Sequence, residues 1–375
     1  MRKLLTTAVA VAMLGLGISS AKAAYSPYQA AQAAAPLLAG GSNPGYNADP
    51  ASATSGSELA GLVHAYEIGI TGLTGSIATQ SNGIITNNTT GSVVTFYGND
   101  AYGLAKVATS GITTSSANTN AATALNTFYS AGPNGYQSSG PTNYHDYGVY
   151  AGTFDGVSTA NANTSDGVTG DNGYIYQLGY HVLATSVIGN TAASNAFAGV
   201  LAEELGNFNT SINTGVSPTT VLALSLWALK TDGTTTVAGT DGTAGNGTSA
   251  WSGKTLFGGA GTLEATLVSD LTAELGSNAI YTEDLAYGIL ALQAIGGHDL
   301  LVQNLSAALA QAVDYATGGA PAGSVAQATG SDFPANSVPA NSRFAGAALQ
   351  ALPEPASLSL LGLAGMGLLA RRRRA

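Results

Sequence analysis

The chain contains no cysteine. That excludes a disulfide framework, a thiolate nucleophile and a zinc site of the cysteine type, so stability has to come from a packed core. Charge is scarce too, at 9% of residues. The four histidines, His64, His145, His181 and His298, are far apart and never form the His-x-x-x-His pair that sets two ligands on one helical face. Neither a metal site nor a cofactor is expected. There is no Gly-x-Ser-x-Gly elbow, phosphate loop or dinucleotide fingerprint, which sets nucleotide chemistry aside.

Glycine, alanine, threonine, serine and asparagine are abundant, and the dominant hydrophobic period is helical. Leu59, Leu62, Tyr66, Ile70 and Leu73 recur at steps of three and four. So do Ile175, Leu178 and Val182, then Phe197, Val200, Leu201 and Leu205. The same spacing joins Leu263 to Leu275, Leu285 to Ile295, and Leu301 to Val313. A helix from Pro218 to Lys230 is apolar nearly all round and is expected to be central, with Ser217 as its N-cap and proline at the first helical position. Ser55 and Glu58 have capping-box spacing, and Gly206, Gly276 and Gly296 follow the last periodic residues, where a left-handed terminus favours glycine. The fold class expected is all-α, with amphipathic helical hairpins joined by Gly/Thr/Asn-rich loops at 110–118, 152–172 and 232–249.

One of those loops carries Asp155, Asn161, Asn163, Asp166 and Asp171. An EF-hand begun at Asn161 puts Gly167 out of register and Asn172 where glutamate belongs, so a solvated turn-rich loop is the simpler reading. A short repeat links 100–105, Asp-Ala-Tyr-Gly-Leu-Ala, with 284–289, Asp-Leu-Ala-Tyr-Gly-Ile. It suggests helical hairpins stacked about an axis, with glycine permitting close approach. The pattern is similar to the α/α toroid of terpenoid cyclases and several polysaccharide-active enzymes. An irregular helical bundle fits it as well.

Both ends read as export signals. Arg2 and Lys3 precede an apolar run from Leu4 to Ile18, and Ala21-Lys22-Ala23 offers signal peptidase its small residues, so cleavage is expected before Ala24. At the other end, Pro353-Glu354-Pro355 is followed by an uncharged span from 356 to 370 and then Arg371, Arg372, Arg373 and Arg374. The prolines keep the chain extended, the apolar span is a short stop-transfer anchor, and the arginines stay on the cytoplasmic side. These three elements in this order resemble the PEP-CTERM sorting signal of exopolysaccharide-producing Gram-negative bacteria. The resemblance covers residues 353–375 alone. It implies recognition by exosortase, cleavage at or near Pro-Glu-Pro, transient inner-membrane anchoring, and release to the cell surface or matrix.

The expected organisation is a signal peptide at 1–23, a flexible segment at 24–56, a helical body at 57–316, a Pro/Ala/Ser/Gly-rich segment with a short final helix at 317–352, and the sorting signal. Without its two ends the body keeps Lys106, Lys230, Lys254 and Arg343 against twenty acids, a net charge of −16. Four scattered cations cannot track a phosphate backbone, so nucleic acid is excluded as a partner. For an enzyme, the residues to consider are Asp146, His145 and Glu283. Asp146 and His145 sit among Tyr144, Tyr147 and Tyr150, whose rings suit sugars, and a glycosidase needs a second carboxylate across the bond. Glu203, Glu204 and Asp284 are the other carboxylates weighed for that place. Acids such as Glu283 and Asp284 also open a helix, where the macrodipole favours negative charge without any chemistry. The reading reached is an exported, non-enzymatic exopolysaccharide- or biofilm-associated component, with a polysaccharide hydrolase or lyase as the alternative.

Overall fold

The computed structural model describes residues 26–40, 55–90, 93–94, 96–112, 116–130, 172–208, 216–234, 250–277, 280–313, 324–329 and 342–352. Twelve helices occur in these residues: α1 (Pro27–Gly40), α2 (Ser55–Glu67), α3 (Thr74–Asn87), α4 (Gly98–Thr109), α5 (Ala117–Ser130), α6 (Asn172–Val187), α7 (Thr191–Asn207), α8 (Pro218–Asp232), α9 (Leu263–Leu275), α10 (Thr282–Ile295), α11 (Asp299–Val313) and α12 (Ser342–Ala351). Two antiparallel two-residue ladders complete them, β1 (Thr89–Thr90) with β2 (Val93–Val94), and β3 (Ile280–Tyr281) with β4 (Ala328–Thr329). The all-α expectation holds.

The even-numbered helices form a closed ring. Helix α2 packs on α4, α4 on α6, α6 on α8, α8 on α10, α10 on α12, and α12 returns to α2. The odd-numbered helices pack outside it: α3 lies against α2 and α4, α7 against α6 and α8, α9 against α8 and α10, and α11 against α10 and α12. This alternation is the α/α toroid that the repeat suggested. Both copies of the repeat lie in ring helices, α4 and α10, which face each other across the axis. Neighbouring ring helices meet early residue to early residue, as in Gly56 with Asp100 and Thr220 with Asp284. Their N-termini therefore share one end of the ring, and every connection from an odd to an even helix arrives there.

Ring helices crowd because small residues let their backbones touch. A Cβ on Gly103 of α4 would lie within 3.0 Å of Gly56 Cα in α2, and one on Gly61 of α2 would lie 2.6 Å from the Gly346 carbonyl oxygen of α12. Helix α8 is central as expected. Val221, Leu222, Leu224, Leu226 and Leu229 are all fully buried, each contributing about 1.5–3 kcal/mol relative to exposure. Ser217 caps it, its Oγ accepting from Thr220 N at 3.0 Å.

Several expectations need correction. Residues 27–40 are a helix, not part of a flexible segment: Ala30, Ala31, Ala34, Ala35 and Leu38 bury one face against α2, α11 and α12. The run from Leu59 to Leu73 is broken after Glu67 by glycines at positive φ, Gly69 at 94° and Gly72 at 83°, so Ile70 and Leu73 belong to the turn before α3. Gly296 ends α10 at a φ of 83°, but Gly276 stands at −82° and Gly206 lies inside α7. Beyond its expected place in a capping box, Glu58 also ties α2 to α3, with Oε1 accepting from Gln80 Nε2 at 2.7 Å. No helix among the described residues is long and apolar enough to cross a membrane. Both expected export signals, 1–23 and 353–375, lie outside the described residues.

Candidate functional site

At the end of the ring where the inner N-termini gather, the first turns carry Ser57 and Glu58 on α2, Asn99 and Asp100 on α4, and Glu283 and Asp284 on α10. A carboxylate in a first turn complements the helix dipole, which explains why acids collect at one end. All four acids are buried. Two of them reach back to the N-terminus of the preceding ring helix. Asp100 Oδ1 accepts from Gly56 N at 3.1 Å, tying α4 to α2. Asp284 Oδ1 accepts from Ser217 Oγ and, at 2.7 Å, from Thr220 Oγ1, tying α10 to α8. The aspartates of the two repeat copies thus do the same work at opposite sides of the ring.

The axis at this end is filled by tyrosines. From α6, Tyr176 and Tyr180 extend across it to Tyr287 of α10: the Tyr176 and Tyr287 hydroxyls are bonded at 2.9 Å, and Tyr180 and Tyr287 are bonded to each other. Tyr176 Oη donates to Glu283 Oε1 at 3.1 Å, and Tyr180 Oη meets Ser57 Oγ of α2 at 3.0 Å. The three rings meet edge to face with centroids 5.0 to 6.2 Å apart. Burial raises the pKa values of Tyr180 and Tyr287 above the usual phenol value, so both remain neutral donors.

Burial also moves the acids. It pushes the Asp100 carboxyl up to about 7, against the Gly56 N–H and the Asn88 amide, which favour the charged form. Glu274 of α9 rises to about 7 through burial and then through the nearby Asp284 charge, although Thr219 Oγ1 donates to its Oε1 at 2.6 Å. Asp284 is raised by burial as well. These two carboxyls lie at the N-terminus of α8 and do not both ionise easily. Asp284→Ala should destabilise the fold by about 3 kcal/mol by leaving Ser217 and Thr220 without their acceptor, whereas Asp284→Asn should cost far less. Urea titration of the three proteins checks the order.

Of the residues weighed for catalysis, Glu283 reaches the axis, while His145 and Asp146 lie in the connection 131–171, outside the described residues. Glu203 and Glu204 are in α7, outside the ring. The described histidines are dispersed. His64 Nε2 lies 3.1 Å from Leu352 O, His181 stacks between Phe128 and Phe197 with Nδ1 bonded to Tyr129, and His298 pairs with Glu264 at 2.7 Å. No group of three or more potential metal ligands occurs among the described residues. Asp100 and Tyr176 were not singled out from sequence as site residues. The signal that could have found them is a polar residue at an otherwise apolar helix position. No protein-family model, curated protein or solved structure matches the chain.

Proposed function

We propose that the protein is an exported cell-surface or matrix component, sorted by exosortase through residues 353–375, whose toroid is a non-enzymatic scaffold associated with exopolysaccharide. One observation carries the non-enzymatic part. Every carboxylate described in the first turns of the ring helices is buried and already accepts a hydrogen bond from a neighbouring helix or its cap, and three bonded tyrosines occupy the axis beside them. Groups committed in this way hold helices together; they do not meet a polymer. The acidic, cation-poor body agrees with a neutral glycan partner.

The position of Glu283 favours a second reading. In a toroid, a carboxylate bonded to tyrosine on the axis is where a polysaccharide hydrolase or lyase would keep an acid. Size-exclusion profiles of the producer's own exopolysaccharide separate the two. The scaffold leaves chain length unchanged while sedimenting with the polymer, and shortening that disappears in Glu283→Gln would establish the enzyme.

Sorting has its own test. With Pro353, Glu354 and Pro355 all replaced by alanine, the chain should stay in the membrane fraction at the uncleaved size. Release at the normal size would contradict exosortase recognition.

A further inference from the structure

The opposite end of the ring is built differently. Three of its turns, 68–73, 188–190 and 296–298, are short. Trp227 of α8 meets Tyr102 of α4 across the ring in an edge contact, with centroids 5.8 Å apart and planes at 88°. Tyr102 in turn packs on Tyr180 at 5.5 Å, so the aromatic column from the sealed end terminates at Trp227. Tyr102 is buried, whereas Trp227 is partly open. One turn beyond Tyr102, on the same face of α4, Lys106 Nζ pairs with Glu67 Oε2 of α2 at 2.9 Å. That pair is reachable, with side-chain exposures of 21% and 33%. Among the described residues, nothing accepts from the Trp227 indole N–H.

We infer that this end of the ring is a binding subsite for one neutral hexose unit of a polysaccharide, with Trp227 as its platform and the Lys106–Glu67 pair as its hydroxyl recognition group. A pyranose has an apolar C–H face and a rim of hydroxyls. Indole offers the matching apolar surface, and its free N–H, the ammonium and the carboxylate supply donors and an acceptor for the hydroxyls. The edge contact with Tyr102 occupies at most one face of the indole. Charge selects the class: Lys106 disfavours a cation over the ring, and an anionic sugar would have to displace Glu67 and approach a body of net charge −16. The subsite rests on the glycan association proposed above and adds to it a place and a sugar class.

The chain has only two tryptophans, so fluorescence can isolate the site. Trp251 is stacked on Phe208 at 4.1 Å; in full-length Trp251→Phe protein held in detergent, emission reports Trp227 alone. Titration with neutral gluco-, manno- and galacto-hexasaccharides should give a saturable change with at least one of them. Trp227→Ala on the native background should weaken that binding by about tenfold or more, read by calorimetry, and Trp227→Phe should weaken it less. Lys106→Met should also weaken it, while leaving the circular dichroism unchanged. No saturable change with any neutral hexasaccharide would overturn the subsite, as would preference for oligogalacturonate or choline. Undiminished sedimentation of Trp227→Ala with the native exopolysaccharide would overturn it too, yet would leave the matrix reading intact. None of these readings depends on where the cell sends the protein.

Discussion

Gly346→Ala should lower stability by about 3 kcal/mol or more, moving the thermal midpoint down by roughly 5–10 °C. Gly346 lies where α12, the last ring helix, closes on α2, the first. An alanine Cβ there would meet the Ser57 carbonyl oxygen and come within 2.7 Å of Glu58 Cα. Both obstacles are backbone, so no rotamer change relieves them and the two helices must separate. Separation would also disturb Gln350, which donates to the Gly346 carbonyl at 3.3 Å, and Ser57, whose hydroxyl joins the tyrosine cluster. In ordinary helix interiors the same substitution helps by up to about 1 kcal/mol, because alanine is the better helix former. Gly75 of α3 and Gly199 of α7 have open space around the added Cβ, so Gly75→Ala and Gly199→Ala are controls that should leave stability unchanged or raised. Scanning calorimetry decides it: equal midpoints for Gly346→Ala and Gly75→Ala would mean that ring closure does not depend on this contact.

The ring was legible in sequence to the extent that leucine marks its helices. Helices α6 to α11 carry large aliphatics at helical spacing, and their existence follows from that period. Helix α1 was hidden because its buried face is mostly alanine, which differs too little from glycine and serine to mark a face. In α4 a short polar-looking stretch, Gly98-Asn99-Asp100, turns out to be fully inside. Its polar groups are satisfied by other helices, with Asn99 N donating to Gln177 Oε1 at 3.1 Å and Asp100 accepting from Gly56. Such partners are remote in the chain, and no local pattern announces them. The repeat located α4 and α10 as equivalent elements. It could not reveal that their aspartates act as ties between helices, because that depends on which helix lies alongside. Glu283 enters only as a candidate second carboxylate, its helix-opening position being explained by the macrodipole alone, and its tyrosine partner from α6 depends on the closed ring.

Stability should be greatest near pH 4 and fall as the pH rises from about 4 to 7. Unfolded, the Asp100 carboxyl titrates at its ordinary value of 3.8; folded, burial holds it at about 7. Between those values the native state keeps a proton that the unfolded chain has released, so each step up in pH favours unfolding until the folded group has ionised too. A shift of this size on a fully buried group corresponds to about 4 kcal/mol across the window. Glu274, about 7 in the fold, and Asp284, also raised, act in the same direction. Glu264 opposes them. Burial would raise it, but the Gly258 N–H and His298 outweigh that and hold it below its ordinary 4.5, so its contribution is lost only as the pH falls through that depressed value. The optimum therefore belongs near pH 4, where the loss from Glu264 at lower pH meets the loss from the raised acids at higher pH. Thermal midpoints measured from pH 4 to 9 should drop by about 5 °C or more between pH 5 and 8. In Asp100→Asn the amide oxygen can still accept from Gly56 N while the titrating group is gone, so this variant should gain stability at pH 8 and show a flatter profile. A midpoint that climbs from pH 5 to 8 in the native protein would show that the ring's acids are ionised in the fold.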